Sequence, residues 1–126
     1  MPDASSFTLH TAVSSAGAVI TVGGELDFIN APALQCAVAR LCETPPPSLV
    51  LDMAGVEFID VAAARVIVTA AQAWPGPDPI VIRDPSPIVR RLLQVTGWAA
   101  AVRLEEAGPA APGQLTQIIT PAGGDR

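Results

Sequence analysis

Residues 49–74 read LVLDMAGVEFIDVAAARVIVTAAQAW. The run at 49–53 is short and strongly apolar, which predicts a strand covered on both faces. Phe58 and Ile59 are expected to end a buried strand, Asp60 follows at once, and an alanine-rich segment predicts a largely buried helix from Ala62 to Trp74. A corner of this kind leaves the first backbone N–H groups of the helix without intrahelical partners, so it is a frequent place for chemistry. Yet Val61, Ala62, Ala63 and Ala64 carry no reactive group.

Outward from this corner the pattern alternates between strand and helix. Upstream, FTLHTAV (7–13) alternates apolar and polar residues, residues 14–17 interrupt it, and AVITV (18–22) resumes, which predicts a β-hairpin. GGELD (23–27) is expected to turn the chain. Asn30, with Pro32 just after it, predicts a helix start with Asn as its cap, and 31–43 places Leu34, Ala37, Val38 and Leu41 on one face. PPPS (45–48) stops that helix. Downstream, PGPDP (75–79) ends the alanine-rich helix and IVI (80–82) predicts another short buried strand. Ser86 and Pro87 open a third helix that Gly97 closes, and 99–104 predicts a last strand. Residues 106–113 read as a loop, 114–120 as a short terminal helix and 121–126 as a frayed tail. The expected architecture is one α/β domain over residues 5–120. It has a mostly parallel central sheet, an N-terminal hairpin and helices packed on the sheet.

Composition narrows the function. A chain of 126 residues with 50% hydrophobic residues suffices for one domain with a real core. The net charge is −5, lysine is absent and the arginines are scattered apart from Arg90 and Arg91, so no basic stripe exists to bind a phosphate backbone. No apolar run approaches the roughly 18–20 residues that span a bilayer, and the N-terminus has an early acid and no apolar core. Cytoplasmic residence is the expectation. Cys36 and Cys42 lie six apart, off a common helical face and without a second ligand pair. His10, the single histidine, sits in an alternating stretch and reads as a strand surface residue.

Three segments carry a resemblance to a known family. GGELDFINAPAL (23–34) resembles the strand-turn-helix entry of the STAS domain, the family of sulfate transporters and anti-sigma factor antagonists. LVLDMAGVEFID (49–60) is similar to that family's central strand and the loop up to its aspartate, and SPIVRRLLQVTGW (86–98) is similar to its third helix. The resemblance covers most of residues 7–104 in the right order. It implies a regulator of the anti-sigma factor antagonist type, partnered by an anti-sigma factor or a related serine-kinase-type regulator. In such proteins a serine after the aspartate is phosphorylated by that kinase and the partner is then released.

Matched position by position, Asp27 corresponds to the aspartate of the Gly-Glu-Leu-Asp run and Asp60 to the aspartate before the phosphorylated residue. The phosphoacceptor position falls on Ala62, which has no hydroxyl, and the family's Gly and Leu are replaced by Ala63 and Ala64. Nearby hydroxyls offer no substitute: Thr69 is expected to be buried in the helix, and capping accounts for Ser86 and Thr96. The resemblance therefore implies a partner-binding surface of Asp27, Asn30, Asp60, Val61, Ala62 and Arg65 without the phosphorylation switch.

The bare residues allow other readings. Asp60 reads first as a helix N-cap, and Asp27 as either an Asx-type turn or a surface acid. Arg65, one turn past Asp60, is placed to pair with it. Glu25, Asp27 and Asp60 raise acid–base or Mg²⁺ chemistry, but no nucleophile, histidine or phosphate-binding glycine loop accompanies them, so no enzyme, cofactor or metal is expected. The alternative is a small-ligand or nucleotide sensor using the helix start and the sheet crevice.

Overall fold

The computed structural model describes residues 7–106. Strands β1 (Thr8–Ser14) and β2 (Gly17–Leu26) form the expected antiparallel hairpin, with Ser14 paired to Gly17 across the turn. Helix α1 (Ala31–Glu43) leads to β3 (Leu49–Ile59), then α2 (Val61–Ala73), β4 (Val81–Arg83) and α3 (Pro87–Thr96). A short 3-10 helix, Trp98–Ala101, precedes β5 (Arg103–Glu105). The sheet order is β1-β2-β3-β4-β5, and every pairing after the hairpin is parallel. The α/β class, the hairpin and the mostly parallel sheet agree with the sequence.

The three crossovers β2–α1–β3, β3–α2–β4 and β4–α3–β5 all step the same way across the sheet. Right-handed connections then place all three helices on one face. Burial follows that geometry. Ile20, Val22, Leu49, Leu51, Met53 and Ile82 point toward the helices and are fully buried, together with Leu34, Ile67, Val89 and Leu93 from the helices. Their neighbours Val19, Val50, Asp52, Val81 and Arg83 lie on the other side of the pleat and are only half-buried. The expectation that 49–53 is covered on both faces is therefore corrected: among the described residues, helices cover one face only.

Other boundaries shift for local reasons. Residues 23–26 of the GGELD run do not turn the chain; they extend β2 to Leu26, with register shifts between Thr21 and Gly23 and between Gly24 and Glu25. Gly23 stands opposite Gly55 of β3, and a Cβ there would come within 2.8 Å of Thr8 Oγ1. The central strand runs from Leu49 to Ile59, as the strand-to-Asp60 corner predicts, and its pairing with the extended β2 continues to Leu26. The predicted last strand is halved, since residues 98–101 wind into the 3-10 helix after Gly97, whose φ of 80° makes it a left-handed cap on α3. The predicted terminal helix and tail, 114–126, lie outside the described residues, as do the outer limits of the expected domain.

Candidate functional site

The corner at the C-terminal end of β3 is a hydrogen-bonding junction centred on Asp60. Its Oδ1 accepts from the Ala63 N–H at 2.8 Å, the N-cap bond of α2. Its Oδ2 accepts from the Phe28 N–H at 3.0 Å, across the gap between β3 and the loop that follows β2. The Asp60 N–H donates to Leu26 C=O at 3.2 Å, and its carbonyl accepts from Ala64 N–H at 3.0 Å. One residue thus caps a helix and ties the β2–α1 loop to that helix's start. The capping role read from the sequence is present, and a second role, the clamp on Phe28, accompanies it.

The β2–α1 loop is organised by a reciprocal box. Asp27 Oδ1 accepts from the N–H groups of Ile29 and Asn30, at 3.0 and 3.1 Å. Asn30 Oδ1 in turn accepts from the Asp27 N–H at 2.9 Å, and Asn30 Nδ2 donates to Glu25 C=O at 2.7 Å. The Ala31 N–H donates to Asp27 C=O at 2.8 Å, a helix-like bond one turn ahead of α1. The expectation that Asn30 caps α1 with its side chain is corrected, because Asn30 sits in the right-handed helical region and makes no cap bond. Asp27 performs the capping, in the manner of a capping box, and the Asx-type turn expected for it is present.

The site residues named from the sequence fall into two groups. Asp27, Asn30 and Asp60 converge on one hydrogen-bonded framework, whereas Val61 and Ala62 form the exposed first turn of α2. Arg65 does not pair with Asp60. Both carboxylate oxygens are already engaged, and the guanidinium lies over the Trp98 ring, 5.6 Å from its centroid. That stacking links α2 to the segment after α3 and is worth about 0.5–1 kcal/mol at an exposed position.

Two further expectations are corrected. Thr69 is exposed rather than buried, in a helix whose core face is carried by Ala63, Ala64, Ile67 and Val68. Ser86 occupies the N-cap position of α3 but makes no cap bond, and its buried hydroxyl has no hydrogen-bond partner among the described residues. Thr96 does act at a helix end, donating back to the Leu92 carbonyl at 2.8 Å. An apolar groove of about 170 Å³ between α1 and α2, bordered by Val38, Cys42, Val66, Thr69 and Ala70, lies along the helices rather than at the Asp60 corner.

The sequence reading named Val61 but missed Phe28, Ile29 and Phe58, the other exposed apolar side chains around this framework. Phe28 is 67% exposed, Ile29 73%, Val61 48% and Phe58 44%. The available signal was the pair Phe28-Ile29 between Asp27 and Asn30, where a turn would ordinarily be polar.

A two-layer α/β domain with a hairpin-led sheet, whose central strand ends in an aspartate that caps the following helix, is the architecture of STAS domains. The sequence pattern of the STAS domain family matches residues 10–107, and the chain belongs to that family. Over 67 residues it is 31% identical to the anti-sigma-F factor antagonist RsfB of Mycobacterium tuberculosis, a match covering 53% of this chain and 55% of that protein. The chain thus spans about half the length of the curated relative it matches. Its fold is similar to that of an anti-sigma factor antagonist from Mycobacterium paratuberculosis, with a TM-score of 0.74, 24% identity, and coverage of 94% of this chain and 98% of that one. It is also similar to the unphosphorylated anti-sigma factor antagonist SpoIIAA, with a TM-score of 0.61, 19% identity, and coverage of 90% and 96%.

Proposed function

We propose that the chain is a non-enzymatic regulatory module that acts in the cytoplasm by binding an anti-sigma factor or a related serine-kinase-type regulator. Its docking surface is the β2–α1 loop together with the first turn of α2, fixed permanently in the unmodified state. The observation that carries this reading is the pairing of an intact framework with a missing hydroxyl. Asp60 holds the loop and helix start together, while the next positions are Val61 and Ala62. Homology to an anti-sigma factor antagonist supports the partner class. No nucleic acid or membrane is proposed as a partner. Among the described residues no helix is long and apolar enough to cross a membrane.

The test pairs wild type with Ala62→Ser against purified serine-kinase-type anti-sigma factors and ATP. Wild type is expected to bind and to take up no phosphate. Ala62→Ser is expected to bind equally and to become phosphorylated, with loss of the partner. Stoichiometric phosphorylation of wild type at any other Ser or Thr, accompanied by release, overturns the fixed-surface reading. Failure of every such partner to bind overturns the module itself.

A further inference from the structure

Resting on that reading of the surface, the geometry points to the chemistry of the partner: we infer that the anti-sigma partner is held chiefly by apolar contact, with Phe28 and Ile29 as the anchoring side chains. The two aspartates suggest an acidic face suited to a basic patch, but three of their four carboxylate oxygens are committed to backbone N–H groups of the corner. Asp27 Oδ1 already receives two backbone N–H groups, and Asp60 gives one oxygen to Ala63 and the other to Phe28. Asp60 also lies at the positive end of the α2 dipole, which offsets its charge locally. An incoming arginine or lysine would find both Asp60 oxygens engaged, and only Asp27 Oδ2 without a hydrogen bond among the described residues.

What the framework turns outward is apolar. Backbone N–H groups at Phe28 and Ile29 are pinned by Asp60 and Asp27, so the loop presents both side chains to solvent, at 67% and 73% exposure. A loop backbone already ordered in the free protein loses little freedom on binding, which is where affinity is usually lost. Val61 adds an exposed branched side chain, and Ala62 beside it raises no bulk against an approaching backbone. At their observed exposures Phe28, Ile29, Phe58 and Val61 present roughly 400 Å² of apolar surface, taking about 150–200 Å² for a large side chain. That is the size of a central anchor cluster and about half of the ≈ 800 Å² that each side of a standard interface buries. The rest of the interface must come from the polar surface around the patch, whatever the partner. What favours an anti-sigma factor over a second copy is the likeness to an anti-sigma-F factor antagonist, and such a partner would bring an apolar depression for the two anchors and its own polar rim.

The experiment is calorimetric titration against the host's serine-kinase-type anti-sigma factors, purified one by one, in roughly 50 and 500 mM NaCl. For the factor that binds, the dissociation constant is expected to change less than about threefold with salt, because exposed ion pairs are screened and apolar contacts are not. Phe28→Ser and Ile29→Ser are each expected to weaken binding by about tenfold or more, and Glu25→Gln by less than about threefold. All three positions are exposed, so unchanged thermal unfolding confirms that the variants fold. A partner that binds with steep salt dependence and tolerates both serine variants overturns the apolar inference and leaves the anti-sigma reading standing. Absence of any binding factor overturns both. Concentration-dependent self-association that Phe28→Ser abolishes assigns the patch to a second copy and overturns the inference too.

Discussion

Replacement of Asp60 tests whether one carboxylate both caps α2 and holds the β2–α1 loop. Asp60→Ala removes the acceptor for Ala63 N–H, a loss of about 1 kcal/mol for a typical N-cap. It also removes the acceptor for Phe28 N–H; that bond is exposed, so its contribution is set at about 0.5–1 kcal/mol, below the usual value for a charged acceptor. The expected destabilisation is about 1.5–2 kcal/mol, or roughly 5–10 °C in Tm for a domain of this size. Asp60→Asn separates the two roles. Asparagine caps as well as aspartate, but its single carbonyl oxygen serves one donor, so about half of the loss is expected.

Urea unfolding measures the sum, and amide exchange assigns it. Exchange at Phe28 should accelerate in both variants, whereas exchange at Ala63 should accelerate only in Asp60→Ala. Affinity for the partner should fall in both, because the loop that carries Phe28 and Ile29 has lost its tie to α2. If Asp60→Ala shifts stability by less than about 0.5 kcal/mol, or Phe28 exchanges at the wild-type rate in both variants, the junction does not hold the loop and the reasoning fails.

Asp27→Ala, read by urea unfolding, should cost about 1 kcal/mol, since Ile29 and Asn30 N–H groups lose their shared acceptor. Ser86→Ala should be within about 0.5 kcal/mol of wild type or slightly stabilising, because a buried hydroxyl without a partner contributes nothing; a loss above about 1 kcal/mol would show a cap bond after all. Gly97→Ala should cost about 1–2 kcal/mol in the same assay. Nothing lies within 4 Å of the added Cβ, so the whole effect comes from the left-handed backbone at φ 80°.

The element order was legible because the hydrophobic period changes cleanly along the chain. Two-residue alternation in 7–22 gives the hairpin, and the Asn-Ala-Pro and Ser-Pro starts locate α1 and α3 to within a residue. The single-sided sheet was not legible from 49–53, because Val50 is as apolar as the buried Leu49 and Leu51 on either side of it. Only the common direction of the crossovers decides which side Val50 faces. The roles of Asp27 and Asn30 were exchanged in the reading for a related reason. A cap is defined by where its neighbours' N–H groups point, and the chain enters α1 through an extra turn that begins at Asp27. Ser86 shows the same limit: Pro87 marks the helix start, but the hydroxyl's direction is set by packing beneath α3.

The Asp60 corner also explains why its scaffold persists without the serine. In the proposed reading, the framework of Asp60, Asp27 and Asn30 orients Phe28 and Ile29, and that task needs no hydroxyl at position 62. The Asp60 carboxylate takes only the Ala63 N–H of the helix start, and Ala62 offers no hydroxyl to which a phosphate could be attached. In that reading the surface has one chemical state, and the fraction of partner bound is set by the ratio of free protein to Kd. Control of such a module then moves from modification to abundance. Apolar anchoring, if it holds the partner as inferred, keeps that response the same when ionic strength changes.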